Sequence, residues 1–235
     1  MTKRFETLGL KHRFIDAIPR YSKFIDAMAH DADNPVPITD DLNMHCIDHK
    51  AERSSLTHHS RGIYSCLYSH LLAIRTYLMY DSESPYGIIC EDDVHLHKDF
   101  VAKLESLQEI LEKFKPDTLS LGYLTLNIPN IRAALGPDSP EALLLRYHES
   151  GLWGTQMYLI SRDFAGKMLE YFDRPIKYYG QYFPTADFII TRSKRGYFIH
   201  PPMAVEEMGD SVNSSSAPDD FHVRVHKEFY TPDHI

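Results

Sequence analysis

Cysteine is scarce in this chain: Cys46, Cys66 and Cys90 are the only three among 235 residues. Three scattered thiols exclude a disulfide framework and a zinc ribbon. Cys66 opens a helical pattern and Cys90 sits in an apolar strand, which fits buried thiols in a reducing compartment. Long hydrophobic runs are also missing. No stretch approaches the roughly 20 apolar residues of a membrane-spanning helix, and Met1 to Phe5 carries no signal-like apolar region. The chain is expected to be cytoplasmic, with no transmembrane segment. Positive charge is in deficit, 25 Lys and Arg against 33 Asp and Glu, for a formal charge of −8. That argues against nucleic acid or an anionic membrane as a main partner. Phosphorylated small molecules stay open, because metal and backbone dipoles can hold them locally.

What remains is ordinary globular composition, 43% hydrophobic and 25% charged, in a length that supports one large core. Residues 1–235 are expected to form a single domain. A helical piece at the N-terminus leads into a short strand over Arg13–Ile18. The stretch from Asp31 to Ser60 is rich in Asp, Asn, Pro and His and reads as loops. A buried helix spans Cys66 to Tyr80. Pro85 and Gly87 precede an apolar strand, Tyr86 to Cys90, that runs into Glu91, Asp92 and Asp93. Phe100, Leu104, Leu107, Leu111 and Phe114 recur at helical spacing and predict one amphipathic helix. Strands follow at Thr118–Gly122 and Gln156–Ile160, with a loop near 127–140 between them. Ser161 caps a helix whose inward face is Phe164, Met168, Leu169 and Phe172. A helix from Thr185 and a strand over Tyr197–His200, stopped by Pro201 and Pro202, complete the pattern. A flexible loop is expected from Gly209 to Asp220. Strands alternate with helices, so the class is α/β with a mostly parallel sheet flanked by helices.

Three consecutive acids at the carboxyl end of an apolar strand carry the strongest chemical signal. Ligands of open α/β sheets bind beyond that end. Clustered carboxylates repel one another, and a hard divalent cation neutralises them while bridging to diphosphate oxygens. The competing reading is a solvated turn, with Asp93 capping the next helix. The 14 histidines make close pairs such as His58 and His59 by number alone, and no zinc site is expected.

Several segments in order make a more specific pattern. Gly62, Cys66, Ser69 and His70 form Gly-x-x-x-Cys-x-x-Ser-His. Ile88-Ile89-Cys90-Glu91-Asp92-Asp93-Val94 is an apolar strand followed by Glu-Asp-Asp. Gly154-Thr155-x-x-Tyr158-x-Ile160-Ser161, Phe183-Pro184-Thr185-Ala186-Asp187-Phe188 and Pro202 through Glu207 follow. Over roughly residues 61–211 this series resembles glycosyltransferase family 25, which includes lipooligosaccharide and collagen galactosyltransferases. Two departures stand out. The chain opens near the end of the family's first helix, at Arg4 to Leu10, so its usual first strand is expected to be absent. Ala186 also makes the segment before Asp187 one residue longer than the usual pattern.

The resemblance implies a GT-A type fold, a UDP-sugar or similar donor, manganese or magnesium, a glycan or glycoconjugate acceptor, and inversion at the anomeric carbon. It implies Asp93 as metal ligand, supported by Glu91, with Asp92 toward the ribose. Ser69, His70 and Thr155 are candidates for donor contacts. A C-terminal histidine is expected to complete the metal shell, with His222 taken first and His200 and His226 as alternatives. Inversion needs a base for the acceptor hydroxyl. Asp187 is preferred, with Glu206 and Glu149 as competitors. For Asp187 the rival role is a first-turn acid favouring its helix dipole. Two other functions compete: a metal-dependent phosphoesterase, and a non-catalytic module that binds nucleotide sugars or glycans.

Overall fold

A computed structural model describes residues 2–25, 58–125, 143–146, 152–173, 186–191, 193–207, 227 and 229–234. In chain order the elements are α1 (Thr2–Thr7), α2 (His58–Tyr80), β1 (Tyr86–Cys90), β2 (Val94–Leu96), α3 (Phe100–Ser106), α4 (Gln108–Phe114), β3 (Thr118–Thr125) and β4 (Leu143–Arg146). Then follow β5 (Leu152–Ser161), α5 (Arg162–Asp173), α6 (Ala186–Thr191), β6 (Gly196–His200) and β7 (Ala204–Glu206). Of the loop expected over 31–60, residues 31–57 fall outside the described residues and His58–Ser60 are helical instead; the loops expected at 127–140 and 209–220 also fall outside them.

Five strands form the main sheet in the order β1-β5-β3-β6-β4, and β2 pairs with β7 in a separate two-stranded sheet. The class is mixed α/β, but the expectation of a mostly parallel sheet is corrected. Among the described residues only β3 and β6 run parallel, while β1–β5, β3–β5 and β4–β6 are antiparallel. Alternation of strands and helices along a chain fixes neither neighbour nor direction. Here β5 enters between β1 and β3 and runs against both, so the long connections decide the sheet.

Side-chain alternation along the strands splits the core in two. On one face Ile89, Tyr158 and Ile160 pack against Leu67, Leu71 and Ile74 of α2, Phe164 and Met168 of α5, and Ile190 of α6. On the other, Leu119, Leu121, Met157, Leu159 and Ile199 meet Phe5, Phe100, Leu107 and the small sheet's Val94 and Leu96. Full burial of each large apolar side chain contributes about 1.5–3 kcal/mol. Helices therefore cover both faces, and the strand end at Glu91 to Asp93 lies where the main sheet passes into the small one.

Local chemistry sets the element ends. The Phe164 amide donates to Ser161 Oγ at 3.3 Å, so Ser161 caps α5 as expected. The single helix expected over 100–114 is divided at Leu107. Ser106 Oγ donates back to Lys103 O at 2.7 Å and the Leu107 amide to Leu104 O at 3.1 Å, a tightened turn that ends α3. The strand expected over Arg13–Ile18 does not form. Instead the Ile18 amide donates to Ser69 Oγ at 2.9 Å and Ser65 Oγ donates to Ile18 O, so this segment is strapped to α2. The helix expected from Cys66 begins earlier, at His58. The strands β2 and β7 were not anticipated.

Candidate active site

The turn after β1 sends its three acids to different places. Glu91 is half-buried and points toward α2. Its Oε1 accepts from Thr155 Oγ1 at 2.7 Å and lies 3.5 Å from His70 Nε2, while its amide donates to Gln156 O at 2.9 Å. Burial opposes ionisation of Glu91, but the His70 and Thr155 contacts outweigh it and hold the pKa below the usual carboxylate value. His70 is 6% exposed. Burial works against its cation, yet hydrogen bonding to Cys66 and Glu91 prevails and lifts the imidazole to about 10. Its Nδ1 sits 3.2 Å from Tyr158 Oη.

Asp92 is exposed. Asp93 is half-buried, and its Oδ1 is shielded from solvent with no hydrogen-bond partner. Burial first, then the charges of Glu91, Glu206 and Asp92, push its carboxyl up to about 7. Glu206 is brought there by pairing of β7 with β2, in which Val94 faces Glu206. The Glu207 amide closes the same end by donating to Asp93 O at 2.5 Å. From α1, Arg4 Nη1 donates to Val94 O at 2.9 Å and Nη2 to Glu207 Oε2 at 2.8 Å. These contacts hold the acidic strand end against the closing strand. A hard divalent cation fits this place on the chemistry of its donors. A shielded carboxylate oxygen without a partner, beside a second carboxylate, lacks only a positive charge.

Asp187 opens α6 and is half-buried. Burial, reinforced by Glu91, raises its pKa to about 6, against the opposing effect of His70 and a hydrogen bond from the Gly154 backbone. Gly154 has φ +112°, and a Cβ there would come within 2.2 Å of Gln156 Oε1. Only glycine suits this backbone, so its place in the Gly-Thr pattern has a steric cause.

The structure thus brings Asp93 together with Glu206, and Glu91 with His70, Thr155 and Asp187. Ser69 stands apart from these groups: its hydroxyl donates to Ser65 O at 2.7 Å and accepts from the Ile18 amide. His200 sits beside Tyr123, whose hydroxyl bonds its Nδ1. His222, His226 and Glu149 lie outside the described residues. Sequence reasoning missed Tyr158 as a partner of His70, Arg4 as the tie across the strand end, and Cys66 as a neighbour of His70. Only the last had a signal, since residues four apart on a helix are adjacent.

A mixed α/β domain with paired carboxylates at a strand end and a raised carboxyl nearby has the outline of a group-transfer enzyme. The family model described as glycosyltransferase family 25 (LPS biosynthesis protein) matches residues 1–189. The chain belongs to that family and is a glycosyltransferase, an enzyme that transfers sugar from a donor to a glycan acceptor. The match ends before Glu206 and Glu207. No match to an individual curated protein accompanies it. Among the described residues, no helix is long and apolar enough to cross a membrane.

Proposed function

We propose that this enzyme moves a sugar from a UDP-sugar, or a similar nucleotide sugar, to a glycan hydroxyl in one inverting displacement that depends on manganese or magnesium. The family description makes a lipopolysaccharide-type glycan the first acceptor class to test. The domain is read as a variant of the GT-A type in which β5 is inserted antiparallel between β1 and β3.

The observation that carries the proposal is the orphaned carboxylate of Asp93 at the carboxyl end of β1, beside Glu206. Asp93 and Glu206 would hold the cation, with His222 as a further candidate ligand. When bound, the cation supplies charge neutralisation to the diphosphate leaving group. Arg4 keeps the strand carrying Asp93 closed against Glu207. Asp92, exposed at the same turn, is available to the donor's ribose. Thr155 and His70 fix Glu91, and in that role they support the site without touching the donor.

Asp187 is the preferred base. A carboxyl near 6 is ionised at neutral pH yet more basic than an ordinary aspartate, which suits removal of the acceptor proton as the new bond forms. Glu206 is the less favoured base because it is needed beside Asp93. The test is thermal stabilisation by UDP-, GDP- and dTDP-sugars with and without manganese, followed by transfer assays on the donor that binds. Stabilisation that needs both one donor and the metal is expected, since a ligand of the native state stabilises it by mass action. Equal stabilisation by a donor with metal removed would sink the cation-dependent reading.

A further inference from the structure

The Cys66, His70 and Glu91 side chains form a second constellation, separate from Asp93. The thiol, one ring nitrogen and one carboxylate oxygen all lie within 4.8 Å of one another. Cys66 and His70 are one helical turn apart on α2, and Glu91 reaches them from the end of β1. The His70 Nε2 to Glu91 Oε1 separation is 3.5 Å, close to the roughly 3.4–3.6 Å edge of a tetrahedron built from zinc–nitrogen, zinc–oxygen and zinc–sulfur bonds.

Outer partners are already in place for two of the three groups. Tyr158 Oη engages His70 Nδ1 at 3.2 Å, which leaves Nε2 as the ligating nitrogen. Thr155 Oγ1 donates to the Glu91 carboxylate at 2.7 Å. Such partners fix the tautomer of a ligating histidine and the orientation of a ligating carboxylate. Tyr158 is fully buried and His70 nearly so, so the ring cannot swing away without disturbing the core.

We propose that Cys66, His70 and Glu91 bind one zinc-class ion through Sγ, Nε2 and a carboxylate oxygen, leaving a fourth position open. A thiolate and an imidazole select a softer metal than the all-oxygen pair at Asp93 and Glu206. Binding forms three metal–ligand bonds and releases to solvent the Cys66 thiol proton and any proton on His70 Nε2. Asp187 lies near enough to feel the charges of both Glu91 and His70. The site shares Glu91, His70 and Thr155 with the support of the donor site, but its binding of an ion does not require the donor chemistry above.

Cobalt(II) is the probe, added to the full chain under a non-thiol reductant. One equivalent should produce a thiolate-to-cobalt charge-transfer band that zinc abolishes. The band should vanish in Cys66→Ser and persist in Cys90→Ser, and Tyr158→Phe should weaken zinc binding about 10–100-fold. Absence of the band in folded wild-type protein at saturating cobalt overturns the proposal, as does its persistence in Cys66→Ser. Should the serine variant not fold, zinc-edge X-ray absorption of the zinc-loaded wild type decides. One sulfur with nitrogen and oxygen ligands supports the site, while an all-oxygen shell or no bound zinc overturns it. Asp93→Asn separates the two readings: it should keep the cobalt band and lose manganese-dependent donor binding.

Discussion

Active-site groups are often held at a cost in stability, and Asp93→Asn should raise the stability of the metal-free protein. The Asp93 carboxyl moves from its ordinary value of 3.8 to about 7, with burial the largest cause. The shift is about three units, and at roughly 1.36 kcal/mol per unit its ceiling is about 4 kcal/mol. Asp93 is only half-buried, and solvent screening reduces this to about 1–2 kcal/mol. The sign follows from the folded value lying above the unfolded one. No penalty exists below about pH 4, where both states hold the proton. The penalty grows as pH rises and is complete above about pH 7. The asparagine keeps the shape without the charge. In a chelator at pH 8 its melting temperature should exceed wild type by about 2–8 °C, using about 2–4 °C per kcal/mol for a chain of this size. The difference should shrink steadily toward pH 4. Manganese should stabilise wild type and leave the variant unmoved. Equal melting temperatures at pH 8, together with a retained manganese response in the variant, would refute the reasoning and make the turn a solvated one.

How much of this was legible in the sequence depended on whether a feature is local. Tyr86 to Cys90 is bounded by breakers on one side and acids on the other, and β1 has those limits. The inward stripe of α5 and its Ser161 cap were equally readable, because a helix advertises its buried face at fixed spacing. The segment Arg13–Ile18 failed because a strand needs a partner, and two serines of α2 satisfy its terminal backbone groups instead. Strands β2 and β7 have three residues each, too short for periodicity, yet their pairing is what puts Glu206 beside Asp93. Sheet direction stayed hidden because nothing local in β5 states which strands it will separate. At the site, the order of motifs located the acids, but the acids alike in sequence differ in environment. Glu91 is turned toward His70 and Thr155 while Asp93 is left without a hydrogen-bond partner for Oδ1. That division arises from α2 crossing over the end of β1, a tertiary fact that a run of three acids cannot encode.

Three further perturbations test the account. Lys115 ends α4 in the left-handed region at φ 43°, where a side chain costs roughly 1–2 kcal/mol; Lys115→Gly should raise the melting temperature by a few degrees, and a decrease would mean that the lysine side chain stabilises this end. Gly154→Ala should cost about 1–3 kcal/mol, because it imposes a Cβ at φ +112° against buried Gln156, measured by chemical denaturation; an unchanged midpoint would show that this backbone relaxes freely. Asp187→Asn separates two roles for one carboxylate. Its raised pKa of about 6 means that ionisation costs stability as pH rises from about 4 to about 6, so the uncharged variant should melt no lower than wild type at pH 8. A base that accepts the acceptor's proton contributes on the order of 10²–10⁴-fold, so transfer should fall by about a hundredfold or more while donor binding persists. If Asp187 serves only its helix dipole, the variant loses about 0.3–1 kcal/mol and keeps its turnover. The two readings differ in both stability and rate, so retained turnover with a lowered melting temperature would remove Asp187 from the mechanism and pass the role to Glu206 or Glu149.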